Sequence, residues 1–223
     1  MNHLSFARTF GAAIICCAIV LVGGCATLIP QAAPHPSFYA LERASASADE
    51  PADPARAPAP PPSTAPTLMV NPPHAAAGFD STRIIYTRTP HEIEYFAYSQ
   101  WVDTPAHMLA PLIVAAIQAG GARHAVILAP SAATGDIRLD TEILRLQQEF
   151  GSGPSRVRFT LHAYIVDSVT RRVLAWREFD ETVSAPSEDP YGGVVAANQA
   201  VQRVLKALAS LCAEATANWK PPA

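Results

Sequence analysis

Cysteine is the residue type here most able to form a new covalent bond, and its four copies are Cys16, Cys17, Cys25 and Cys212. The first two lie inside an apolar run, Cys25 follows that run directly behind Val22-Gly23-Gly24, and Cys212 stands alone near the C-terminus. A thiol placed behind small residues can be alkylated while a peptidase cuts ahead of it. Other chemistry finds little support. A P-loop places its lysine in G-x-x-x-x-G-K-[ST], and the only lysines, Lys206 and Lys220, follow no such turn. No G-x-S-x-G elbow occurs, since Gly151-Ser152-Gly153 reads as a turn between strands. His91-Glu92-Ile93-Glu94 is not H-E-x-x-H, and it falls in a turn-and-strand stretch where an i,i+4 pair shares no face. His35, His74, His107, His124 and His162 are scattered without ligand spacing and read as surface or hydrogen-bonded side chains. Glu188-Asp189 suits the N-terminal end of a helix better than Ca²⁺, because the rest of a calcium loop is missing. A Ser/His/Asp set drawn from remote residues would leave no motif, so a hydrolase stays as the weakest reading. The expectation is a chain without catalysis, cofactor or metal.

The N-terminus reads as an export signal. Arg8 precedes a run from Phe10 to Val22 broken only by Gly11. That run is short of the roughly 20 residues needed to span a bilayer, but it suits a signal h-region. Val22-Gly23-Gly24-Cys25 is similar to the bacterial lipobox, with Gly23 as its one departure. The lipobox implies cleavage after residue 24 and acylation of Cys25 with diacylglycerol and a fatty acyl group such as palmitate. An ordinary secretory signal followed by an incidental cysteine is the bland alternative. Two or three acyl chains, at about 0.8 kcal/mol per buried CH₂, anchor stably where one chain does not. By resemblance to lipoproteins of double-membrane bacteria, Ala26 after the cysteine favours the outer membrane. With Cys16 and Cys17 removed and Cys25 acylated, Cys212 has no disulfide partner, so packing must hold the domain together.

The 223 residues allow one good-sized domain or two small ones. A formal charge of −3, without a Lys/Arg cluster, excludes a nucleic-acid face. Ten of the 21 prolines fall between Pro30 and Pro66, and residues 42–66 hold almost nothing apolar larger than alanine. Such a stretch gains too little from burial to offset its ordering entropy, and it reads as a mobile insertion with polyproline-II character. Phe38-Tyr39-Ala40-Leu41 interrupts the tract and is expected to dock as a short strand. The boundaries are then 1–24 for the signal, 25–37 for lipidated cysteine and tether, 38–41 for the docking strand, 42–66 for the insertion and 67–219 for the domain. The tether from Ala26 to Ser37 would reach about 37 Å at 3.1 Å per residue. If residues 38–41 are instead free, the whole stretch is a stalk.

Within 67–219, Arg83–Thr87 and Ile93–Tyr98 are β-branched and aromatic around Thr89-Pro90-His91, which suits a hairpin. Thr104-Pro105 gives an N-cap and a first-turn proline, and Gly120-Gly121 stops the helix between them. Pro111 inside that span predicts a kink or a later start. Asp136–Phe150 alternates and then changes phase after Ile143, the mark of a β-bulge. Arg156–Asp167 and Val173–Val183 alternate cleanly, so an antiparallel meander covered on one side is expected. Val194, Asn198, Val201, Leu205, Leu208, Cys212, Ala215 and Trp219 make one narrow stripe on a long covering helix. The stripe makes Cys212 a buried small hydrophobe. The fold class is α+β: a single domain with an antiparallel or mixed sheet and two helices on one face.

Aromatic surface remains. Tyr86, Tyr95, Phe96, Tyr98 and Trp101 crowd one short stretch. Core packing claims most of them, but alternation sends some to the opposite sheet face, where tyrosines serve protein contacts. A binding module therefore outranks an enzyme.

The chain resembles the auxiliary lipoproteins of ABC-type lipid transporters, of the paraquat-inducible-protein and cholesterol-transport-auxiliary kinds. The resemblance is carried by the lipobox, Tyr39-Ala40-Leu41, the stretch from Leu68 to Pro72, and Ile84-Ile85-Tyr86-Thr87-Arg88. It continues through the block from Glu94 to Pro105 with Met108-Leu109, then Leu146 to Phe150, Val173-Leu174-Ala175 with Phe179, and Val195 to Ala200. The tyrosine-rich strand followed by tryptophan and proline is the most specific piece, and the insertion at 42–66 is the departure. The resemblance implies a non-catalytic lipoprotein on the periplasmic face of the outer membrane. Its implied partner is a periplasmic MCE-domain (mammalian-cell-entry-type) subunit and, through it, an ABC permease and ATPase. A homo-oligomer belongs to the same expectation. Tyr86, Tyr95, Tyr98 and Trp101 are the candidate interface residues. The competing reading is an envelope structural or assembly lipoprotein without an ABC partner.

Overall fold

A computed structural model describes residues 35–43, 65–120 and 124–222. Cys25, the signal and most of the 42–66 insertion lie outside the described residues. The longest strand organises the rest. Strand β7 (Ile137–Glu149) pairs along one edge with β8 (Arg156–Asp167), which pairs in turn with β9 (Val173–Ser184), all antiparallel. The other edge of β7 is shared in succession by three shorter strands running parallel to it. These are β2 (Thr67–Val70), β3 (His74–Ala75) and β4 (Arg83–Thr87). Beyond β2 lies β6 (Ala125–Leu128), parallel. Beyond β4 lies β5 (Glu94–Trp101), antiparallel, and then β1 (Ser37–Tyr39), parallel to β5. The sheet is mixed and has nine strands, with an antiparallel meander as its larger part.

The phase change in β7 is a bulge. Ile143 faces Leu161 and Arg145 faces Thr160, which leaves Leu144 unpaired. Buried positions follow Ile137, Leu139, Thr141 and Ile143 before it and Leu146 and Gln148 after it. One extra residue thus keeps both halves of a long strand over the same core. In β8, Val157, Phe159, Leu161, Ala163 and Ile165 all point into that core.

Helix α1 (Pro105–Ala119) starts where its capping residues direct. The Thr104 hydroxyl accepts from the His107 backbone N–H at 3.4 Å, and Pro105 occupies a position whose donor would go unused. Of the two outcomes that Pro111 predicted, a kink or a later start, the later start does not occur, because the helix begins at Pro105. Pro111 and His107 are both exposed, so the carbonyl left without a donor lies on the solvent side, where water can serve it.

Helix α2 (Pro190–Asn218) is capped by Asp189, whose Oδ1 accepts from Gly192 at 2.7 Å. That bond holds the Asp189 carboxyl below its ordinary range. Glu188 accepts instead from the Ser155 backbone N–H at 2.8 Å. The buried face of α2 is wider than one stripe. Ala196, Ala197, Ala200, Val204, Ala209 and Leu211 are covered as well, because the helix lies against the sheet and α1 together.

A second lock lies at the far end of α2. Oδ1 of Asp167 accepts from the backbone of Val169 and Thr170 and from the Thr170 hydroxyl, closing the β8–β9 turn. Its Oδ2 accepts from the Trp219 indole at 2.7 Å. The Thr170 backbone bond, then Trp219, pull the Asp167 carboxyl down to about 2. A carboxyl lowered on folding stabilises the fold above its unfolded value, about 3.9, and that contribution fades as pH falls through its folded value. Asp167→Asn is therefore expected to flatten stability against pH between about 4 and about 2, and to lower the melting temperature at neutral pH. Melting curves of the two proteins across that window check it. Parallel curves would contradict it.

Cys212 is fully buried, and desolvation pushes its thiol up to about 12. The expected outcome is no labelling by an aqueous thiol reagent in the folded state and complete labelling in denaturant.

Candidate docking surface

The structure divides the four sequence-predicted interface residues. Trp101 is 4% exposed and belongs to the core, and Tyr86 is 8% exposed. Neither presents its ring to a partner. Tyr86 stacks on Phe96 with ring centres 4.4 Å apart, meets Phe150 edge-on, and donates its hydroxyl to Glu94 at 2.8 Å. That bond to the Glu94 carboxylate raises the phenol above its ordinary value. Tyr95 and Tyr98 do face solvent, with the Arg83 guanidinium 4.8 Å from the Tyr95 ring centre.

Strict alternation would put Tyr95 and Trp101 on one face of β5. A register slip separates them instead: Arg83 pairs with Gln100, yet Ile85 pairs with Tyr95. Phe96 and Trp101 can both turn inward because the face changes between them.

A second aromatic site lies on the open face of the meander. Tyr164 of β8 stands directly opposite Trp176 of β9, and Trp176 is 65% exposed. Cross-strand neighbours of this kind hold each other in place. Beside them, His162 meets Glu178 at 2.6 Å and packs edge-on to Tyr164. Arg158 grips Asp180 with two nitrogens, at 2.9 and 2.6 Å, and the Thr160 hydroxyl donates to the same carboxylate at 2.8 Å. The Arg158 bond holds the Asp180 carboxyl below its usual range. An exposed tryptophan and tyrosine flanked by fixed polar pairs have the make-up of a contact patch with a polar rim. Val173, exposed and opposite Val166, extends its apolar part towards the β8–β9 turn. The sequence signal for this patch is a tryptophan on the polar face of an amphipathic strand, outweighed there by the denser tyrosine run of β5.

No cluster able to hold a metal occurs among the described residues. No helix among them is long and apolar enough to cross a membrane.

The model of the family described as ABC-type transport auxiliary lipoprotein component matches residues 50–209. No curated protein matches the sequence. Among solved structures, the chain is similar to protein XCC0632 from Xanthomonas campestris, of family DUF330. That similarity has 23% identity and a TM-score of 0.65 over 80% of this chain and 95% of the other. An uncharacterised protein has 11% identity and a TM-score of 0.61, over 80% of this chain and 99% of its own. A PelC dodecamer from Paraburkholderia phytofirmans has 16% identity and a TM-score of 0.42, over 67% and 91%, too distant to carry an argument about assembly. The first two share the fold. The family model spans well over half of the sequence, and the chain belongs to the ABC-type transport auxiliary lipoprotein family.

Proposed function

We propose that this protein is a non-catalytic adaptor, held by acyl chains on Cys25 at the periplasmic face of the outer membrane. It docks the periplasmic MCE-domain subunit of an ABC-type intermembrane lipid transport system, while permease and ATPase act at the other end. Family membership is the observation that carries the reading. The open sheet face around Trp176 and Tyr164 supplies a surface for it, with Tyr95 and Tyr98 as a second patch. Exposed aromatics anchor protein contacts because they bury much area for few frozen torsions.

Affinity purification of the full lipidated chain from detergent-solubilised envelopes, after mild crosslinking, tests the proposal. Co-recovery of the MCE-domain and permease subunits is expected. Trp176→Ala should reduce that recovery by about tenfold or more, the loss typical of an aromatic hot spot. Recovery of neither subunit would favour an envelope assembly role without an ABC partner.

A further inference from the structure

A groove of about 940 Å³ runs between α1 and α2. That size lies in the range of small-molecule sites. Its two ends differ in chemistry. At one end, Asn198 holds the chain leaving β1 by donating to the Ala40 carbonyl at 3.2 Å and accepting from the Glu42 N–H at 2.7 Å. This brings Glu42 and Arg43 to the mouth, beside Arg203 and Lys206 of α2. Three cations face one anion there, and Arg203 also touches Glu181 of β9 at 2.8 Å. Towards the other end α1 and α2 approach closely: a Cβ on Gly120 would lie 3.4 Å from that of Ala209. The walls there are Ala116, Ala119, Ala209 and Ala213. The one nearby hydroxyl, Ser210, is turned back to the Lys206 carbonyl of its own helix.

The alanine walls carry no side-chain donor or acceptor, and the amides in the lining, Gln199 and Gln202, lie within one turn of Arg203 on α2. An extended peptide laid along those walls would bury backbone groups without partners, at a cost of several kcal/mol. A hydrocarbon chain loses nothing there, and an anionic group on its end would meet the cationic mouth. We infer that the groove binds one acyl chain of an anionic phospholipid, with hydrocarbon along the alanine walls and phosphate at Arg203 and Lys206. This inference rests on the groove and not on the adaptor reading. Its assay contains no protein partner, so its failure leaves that reading untouched.

The test uses the full mature chain carrying Cys25→Ser, so that its own acyl groups cannot fill the groove. The protein is incubated with vesicles of phosphatidylglycerol mixed into phosphatidylcholine, separated from them, and its bound lipid is extracted and quantified. Near-stoichiometric phospholipid enriched in phosphatidylglycerol is expected. Ala213→Trp, at an exposed position, should lower bound lipid by about tenfold, the equivalent of about two methylenes losing burial, with melting temperature unchanged. Lys206→Glu should abolish the preference for phosphatidylglycerol. Absence of bound phospholipid, or binding indifferent to Ala213→Trp, overturns the inference. Binding that appears only after deletion of residues 44–64 also overturns it, by assigning the groove to that segment.

Discussion

Valine in place of Gly192 is expected to cost the fold about 3 kcal/mol, although any residue but proline normally gains on glycine in a helix. Helix propensity favours the substitution by roughly 1 kcal/mol or less. Space decides the other way. A Cβ at Gly192 would stand 2.2 Å from the Ser187 carbonyl oxygen and 2.8 Å from its nitrogen. Both are backbone atoms, and Ser187 is also tied by its hydroxyl to Asp189 at 2.8 Å. Relieving the overlap therefore moves the turn that places the α2 cap. For a domain with a total stability of about 5–15 kcal/mol, that is a large fraction. Urea unfolding with an unchanged slope and a much lower midpoint is the expected result. A midpoint equal to or above that of the parent would contradict the close approach. Gly193→Ala should cost less, because the group it meets is the Gln148 side chain, with Oε1 2.2 Å from the new Cβ. That side chain can shift, though it is buried and bonded to Ser155.

These glycines also mark how far sequence reasoning reached. Features set by neighbours along the chain were legible: the Thr104-Pro105 start of α1, the phase change at Leu144 and the alternation of β8. So was the burial of Cys212 on α2. Features set by distant partners were not. Strands β2, β3 and β4 are two to five residues long, and nothing within them says that they lie parallel along one edge of β7. Trp101 and Tyr95 looked equivalent because the register slip that parts them is a property of the pairing with β4. Gly192-Gly193 reads locally as a weak start to a helix. Only the position of Ser187 and Gln148 turns it into a requirement.

Cys25→Ser, with residues 1–24 exchanged for an ordinary cleavable secretory signal, is expected to move the protein wholly from the membrane pellet to the soluble periplasmic fraction. Each buried CH₂ contributes about 0.8 kcal/mol, so two or three acyl chains on Cys25 would anchor the protein stably where a single chain would exchange. The described fold begins at residue 35, well beyond Cys25. Thermal melting of the released protein should therefore match that of the parent, while transport in cells is lost. Retention in the pellet would show that something other than acyl chains anchors the protein. Release with transport intact would show that the anchor serves no purpose in transport.

The docking claim is tested most directly by a photo-activatable amino acid at position 176, irradiated in intact envelopes. The account predicts an adduct with the MCE-domain subunit that disappears when Cys25 is replaced and the protein drifts free. Adducts formed only with outer-membrane assembly or peptidoglycan proteins would contradict it.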